Sequence, residues 1–242
     1  MNARRPIVTR LSDAAAVAST AADEFVVRLI ELTSTQDVVH VMLTGGTVGI
    51  ATLAETSRHP DLGKIDFSKV NFWWGDERFV ASDSADRNSN QARTALLNRP
   101  ELAEATLHEF PAADSLSLDQ ALSEFSGHFE SVKPKFDLAF LGMGPDGHIA
   151  SLFPGKTAPS AGVSLIAEAD SPKPPPQRLS FSYEALNEVD EIWFVVAGSD
   201  KAQAVDVAFS DQPERLPVGR VTGRKATKWF IDATAGNLVW GC

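Results

Sequence analysis

Four short runs in this chain are apolar at most positions, and each ends at a glycine. They are Val38–Leu43 before Thr44-Gly45-Gly46, Val70–Trp74 before Gly75, Phe136–Leu141 before Gly142, and Glu191–Ala197 before Gly198. A strand with one wet face alternates apolar and polar residues. A strand apolar throughout is covered on both faces, the condition of a parallel sheet under helices. Helical spacing fills the gaps. Ser12 or Asp13 can cap an Ala-rich helix reaching about Leu32. Thr47 to about Ser57, Asn90–Leu97, and Ser199 or Asp200 to Phe209 read as helices, as does Leu116–Phe129 with Leu118, Leu122, Phe125 and Phe129 on one face. Arg178–Phe181, Thr227–Ile231 and, more weakly, Val163–Ala167 add strands. The alternation predicts an α/β fold with a mainly parallel sheet and helices on both faces. Ser171–Gln177, with its PKPPP run, is the one linker-like stretch and is too short to divide the chain, so residues 1–242 are expected to form one domain.

In open α/β sheets ligands bind beyond the carboxyl ends of the strands. That rule places Thr44–Thr47, Gly75–Arg78, Gly142–His148 and Gly198–Lys201 on one rim. Gly45 and Gly46 allow close backbone approach to an anion, and the helix from Thr47 offers free N–H groups. The same residues also make a plain strand-to-helix turn. Asp76, Glu77 and Arg78 suit sugar hydroxyls and a phosphate, arginine being the fork-shaped donor. They equally make a solvated ion pair. His148 has the side chain best suited to proton transfer near neutrality, and Asp146 is placed to orient it. A glycine turn with a capping Asp reads the same. Lys201, at a helix start, and Arg178, after the prolines, are candidate substrate contacts or surface charges.

The net charge is −10, which disfavours nucleic acid as a partner and leaves local cations and amides to hold any anionic substrate. The single cysteine is Cys242, so no disulfide can form within the chain. No uninterrupted apolar stretch of signal-peptide length opens the chain, and no run of about 18 apolar residues exists, so neither a processed signal nor a membrane span is expected. His40, His59, His108 and His128 show no metal-ligand spacing, and the tryptophans read as packing residues. The glycine turns spell neither G-x-G-x-x-G nor a Walker lysine loop, and no G-x-S-x-G elbow is present.

Together these segments resemble the glucosamine-6-phosphate isomerase/6-phosphogluconolactonase family, on its lactonase side. The resemblance runs from about Val38 to Phe230 and rests on LTGGT (43–47), FWWGDERFV (72–80), DRNSNQ (86–91), FDLAFLGMGPDGHIASLFPG (136–155), RLSFSYEALNEVDEIWFVVAG (178–198) and Lys201-Ala202. It implies the α/β fold shared with ribose-5-phosphate isomerase and glucosamine-6-phosphate deaminase. It also implies hydrolysis of 6-phosphoglucono-1,5-lactone in the oxidative pentose phosphate pathway, with no cofactor and no metal. By the same resemblance His148 is the base and Asp146 its assistant. Arg78 and Lys201 contact phosphate, Gly45, Gly46 and Thr47 form the turn beneath the substrate, and Asp76 and Arg178 bind substrate. The chain departs from the pattern at Val48, where a proline is usual, and at Arg87, where a histidine is common. The expected setting is a cytoplasmic monomer or small homo-oligomer acting on a small phosphosugar lactone, without nucleic acid or membrane. Two rivals are a non-catalytic sugar-phosphate sensor, which normally carries a basic DNA-binding segment, and a deaminase. The deaminases carry a glutamate five residues after the histidine, where this chain has Phe153.

Overall fold

A computed structural model describes residues 5–157 and 160–240; Cys242 lies outside the described residues. In chain order the elements are β1 (Ile7–Leu11), α1 (Ala14–Thr35), β2 (Val39–Leu43), α2 (Thr47–Thr56), β3 (Val70–Trp74), β4 (Asp76–Arg78), α3 (Asn88–Ala92), β5 (Thr106–Leu107), α4 (Leu118–Val132), β6 (Phe136–Leu141), β7 (Leu165–Glu168), β8 (Arg178–Phe181), α5 (Tyr183–Asn187), β9 (Glu191–Val196), α6 (Ala202–Ala208), β10 (Ala226–Asp232) and α7 (Asn237–Trp240). Seven strands form one parallel sheet in the order β1-β10-β9-β6-β2-β3-β5. Every residue of β2, β6 and β9 is buried, so both faces of the central sheet are covered, as their unbroken apolar runs require.

α1 begins where the sequence places it. The Asp13 carboxylate accepts from the Ala16 N–H at 2.9 Å, a cap whose loss costs about 1 kcal/mol. Val17, Ala21, Phe25 and Leu29 recur at helical spacing and are fully buried. A buried Leu or Phe of this kind stabilises the fold by about 1.5–3 kcal/mol. Ser117 and Gln120 cap α4 reciprocally.

Three differences from the sequence reading bear on the site. The predicted Asn90–Leu97 helix is a short α3 followed by a π-helical turn at Arg93–Leu97. Gly75–Arg78 is not a rim loop throughout: Asp76–Arg78 is strand β4. It pairs antiparallel with β8, which pairs antiparallel with β7, giving a second, three-stranded sheet. The sequence pattern does not predict the edge strands β1 and β5, whose exposed or half-buried residues blur it.

Outside the glycine loops, three of the scattered histidines gather around Trp73. His108 stacks on its ring with centroids 3.9 Å apart, and Trp73 Nε1 donates to His40 Nδ1 at 3.1 Å. Asn71 Oδ1 accepts from His108 Nε2 at 3.0 Å, leaving His108 Nδ1 to accept from His128 Nε2 at 2.7 Å. Among the described residues no group of three or more His, Cys, Asp or Glu is arranged to hold a metal. Burial, then the neighbouring His128 and His40, pushes the His108 pKa down to about 4 from an ordinary 6.5. Between those values the unfolded chain binds the extra proton, so this contribution is complete above pH 6.5 and is lost as pH falls toward 4. Melting at pH 7 and pH 5 is expected to show a drop in Tm that shrinks in His108→Gln. An equal drop in both proteins would assign the acid sensitivity elsewhere.

Candidate active site

Adjacent strands β2 and β6 send their chains in opposite directions, β2 on toward β3 and β6 on toward β9. Their carboxyl ends flank a crevice, the usual ligand position in such sheets. A cleft of about 610 Å³ opens there. Its walls include residues from Thr44–Gly49, Asp76, Arg78, Asn88, Gly142–Pro145, His148, Lys173, Arg178 and Gly198–Lys201. The four glycine-terminated runs thus converge.

The β6 loop builds a tight hydrogen-bonded turn. Gly144 N–H donates to the His148 carbonyl and Gly147 N–H to the Gly144 carbonyl, both at 2.9 Å. The turn brings the His148 imidazole against the Gly144 backbone so closely that a Cβ at Gly144 would collide with the ring. His148 Nδ1 meets Asp146 Oδ1 at 2.5 Å. A carboxylate there accepts the Nδ1 proton, so the lone pair of the neutral ring is on Nε2. Burial pushes the His148 pKa below its ordinary value. The Asp146 hydrogen bond and charge oppose that shift, and Lys173 adds to it. Burial raises the Asp146 pKa, but the bond and charge of His148 outweigh it and leave it lowered. Asp146 is not part of the cleft wall; it stands behind the histidine. Phe153 lies 4.8 Å from the His148 ring, centroid to centroid, and is buried.

Arg78 reaches the cleft from β4. Its Nη1 is fixed by the Asp86 carbonyl at 2.8 Å and Asn88 Oδ1 at 2.6 Å, while its buried Nε has no partner. Asp76 is buried; its Oδ2 accepts from Ser151 Oγ at 2.7 Å and lies 3.8 Å from Arg178 Nη1. Arg178 lines the cleft, but its Nε donates to the Pro175 carbonyl at 3.2 Å, and its Nη2 to those of Lys173 and Pro174 at 3.3 and 3.2 Å. Glu77 is not available to sugar hydroxyls. It is 1% exposed, and its oxygens accept the N–H groups of Arg78, Asn88 and Ser89 at 2.8, 2.7 and 2.9 Å. Burial raises its pKa, against the opposing charge of Arg87 and those backbone bonds.

In the same cleft, Gly46 holds φ +80 just before Thr47, the first residue of α2, and no side chain caps that helix. Its first N–H groups are therefore open to an anion. Val48, at the position where the family has proline, keeps these amides. Lys201 stands in a short 3-10 turn leading into α6, with Nζ 2.7 Å from Asp200. That bond lowers the Asp200 pKa.

Two wall residues escaped the sequence reading. Asn88 binds both Arg78 and the Asp76 carbonyl, and Lys173 Nζ lies 3.3 Å from His148 Nδ1 and 3.6 Å from Asp146 Oδ1. Asn88 sits in the DRNSNQ segment, whose polar side chains carry no spacing that points to a contact. Lys173 sits within the proline run, whose composition suggested only a linker.

A model of the family described as glucosamine-6-phosphate isomerases/6-phosphogluconolactonase matches residues 12–229. The 6-phosphogluconolactonase of Mycobacterium tuberculosis is 38% identical over 207 residues, 81% of this chain and 83% of that protein. The Streptomyces coelicolor 6-phosphogluconolactonase is 33% identical over 234 residues, 91% of this chain and 90% of that protein. The solved 6-phosphogluconolactonase of Trypanosoma brucei matches with a TM-score of 0.85 at 22% identity, across 97% of this chain and 99% of that one. A monomeric glucosamine-6-phosphate deaminase matches with a TM-score of 0.75 at 17% identity, across 96% of this chain and 99% of that one. Those two structures speak for the fold alone. The family model and the curated relatives decide membership: this chain belongs to the glucosamine-6-phosphate isomerase/6-phosphogluconolactonase family.

Proposed function

We propose that this cleft hydrolyses 6-phospho-D-glucono-1,5-lactone to 6-phospho-D-gluconate, the lactone-opening step of the oxidative pentose phosphate pathway, with His148 as general base. The observation that carries the reading is the 2.5 Å bond between His148 Nδ1 and Asp146, which leaves Nε2 as the basic nitrogen in a cleft that also holds Arg78, Lys201 and the uncapped start of α2. The lactone C1 carbonyl is already electrophilic. Water attacks C1 as Nε2 takes one of its protons, and the carbonyl electrons move to the oxygen. Backbone N–H groups of the glycine loops are the donors suited to that oxyanion. The intermediate then collapses, the C1 bond to the ring oxygen breaks, and the imidazolium returns its proton to that oxygen. Arg78, Lys201 and the α2 amides hold the 6-phosphate, so binding far from C1 sets the carbonyl in place. Gly45, Gly46 and Thr47 form the floor of that phosphate end, and Asp76 and Arg178 shape the wall beside the histidine.

Phe153 speaks against deamination, because the acid that reaction employs in the family is replaced by a buried ring against His148. We further place the enzyme in the cytoplasm as a single-domain monomer or small homo-oligomer acting on a free phosphosugar lactone. No helix among the described residues is long and apolar enough to cross a membrane.

The test is a coupled assay in which glucose 6-phosphate and its dehydrogenase make lactone in situ. Acceleration of 6-phosphogluconate formation over the spontaneous rate is the expected result. Tight binding with no acceleration would make the protein a sensor instead. Arg78→Ala should raise KM about tenfold or more with a smaller change in kcat, the loss expected for a charged hydrogen bond. An unchanged KM would remove Arg78 from the phosphate site.

A further inference from the structure

The proline stretch Ser171–Pro176 has no hydrogen-bonded strand or helix to hold it, yet its main chain is pinned throughout. Ser171 N–H donates to the Pro176 carbonyl at 2.9 Å, closing the loop. Ser171 Oγ donates to the Lys173 carbonyl at 3.0 Å and accepts from the Lys173 N–H at 3.2 Å. Arg178 gathers the carbonyls of Lys173, Pro174 and Pro175, and Asp76 faces its remaining nitrogen. Arg178 is 6% exposed, so this clamp is sheltered from water. The residue it presents to the cleft is Lys173, whose ammonium is half-buried between His148 and Asp146.

We propose that Lys173 is a positioning residue for the reaction, held beside the His148–Asp146 pair by the Arg178 clamp so that the imidazole rests neutral and gives up an acquired proton readily. The inference rests on the reading of His148 as the base. Burial disfavours the imidazolium, but the Asp146 bond and charge favour it, and an imidazolium cannot deprotonate water. His148 Nδ1 cannot both donate to Asp146 and accept from Lys173. The shorter contact, 2.5 against 3.3 Å, gives the Nδ1 proton to Asp146. Lys173 therefore acts by charge. With Asp146 negative and Lys173 positive the trio is neutral while the ring is neutral, and a second proton, taken on Nε2, makes the ring a cation whose Nδ1 stands 3.3 Å from the lysine ammonium. The charged groups acting on His148 are Asp146, Lys173 and, farther off, Asp76; Phe153 contributes only an apolar face.

Histidine-ring NMR titration of the free enzyme, paired with the pH dependence of kcat/KM, tests this. Lys173→Met and Lys173→Gln should each raise the His148 titration midpoint by about half to one pH unit. The acid limb of kcat/KM should move with it, and Lys173→Arg should leave both near wild type. Arg178→Lys loses the three-carbonyl fork and should raise the midpoint in the same direction, adding little once Lys173 is already gone. A midpoint that stays put in Lys173→Met and Lys173→Gln overturns the proposal, whatever happens to turnover. The base reading fails separately, in the wild type, if the acid limb of kcat/KM does not follow the His148 midpoint.

Discussion

Replacing His148 with alanine should lower kcat on fresh lactone by about 10²–10⁴-fold, the usual worth of a positioned general base. The large effect follows from its place in the cycle. Nε2 takes the proton of the attacking water and later supplies one to the departing ring oxygen, so both steps lose their carrier. KM should change little, because Arg78, Lys201 and the α2 amides still hold the phosphate. The variant should melt near wild type, since the one hydrogen bond the ring donates goes to a partly exposed aspartate. Residual turnover above the spontaneous rate would measure what carbonyl positioning and the oxyanion donors achieve alone. Near-normal kcat in His148→Ala would sink the assignment outright.

Gly144→Ala should cost nearly as much without removing any functional group. An added Cβ overlaps His148 Cε1 and Nδ1 and lies 2.6 Å from Asp146 Oδ1, so both members of the pair must move. A displacement near 1 Å at such a site lowers turnover about 10²-fold. Gly144 does not need glycine for its backbone angles, since its φ is not positive, and its N–H bond to the His148 carbonyl can persist. The substitution should therefore separate activity from stability. Gly63→Ala is the control: its Cβ meets nothing within 4 Å and its φ is also not positive, so kcat and Tm should stay at wild type. Full activity in Gly144→Ala would show that the ring has room the structure does not show.

The parts legible in the sequence were those whose physics is local. β6 is six consecutive buried residues ending at glycine, so its position, both covered faces and the rim placement of His148 follow from the run itself. The Asp13 cap of α1 and the α2 start at Thr47 are equally local. β4 was not legible because Asp-Glu-Arg reads as a surface turn; its burial comes from pairing with β8, about a hundred residues later. Glu77 misled for the same reason: three backbone N–H groups satisfy its carboxylate, and two of them lie in α3. Lys173 was hidden because a proline run signals what the backbone cannot do and says nothing of what a side chain within it approaches. The histidines around Trp73 come from a strand, the loop after β5 and a helix, so spacing along the chain could not gather them.

The Glu77–Arg87 pair bears on what this chain tolerates at position 87. The two side chains are almost wholly buried, with Arg87 Nη2 3.9 Å from Glu77 Oε2. Removing the cation of a buried pair usually strands a bare charge. Here burial already draws a proton toward Glu77. A protonated carboxyl can keep the bonds it has: Oε1 as the carbonyl oxygen still accepts from Arg78 and Asn88, and Oε2 as the hydroxyl still accepts from Ser89. Loss of the Arg87 cation therefore leaves Glu77 a neutral form that fits the same three backbone donors, and what the fold forfeits is the arginine's own bonds to Ser89 and the Phe110 carbonyl.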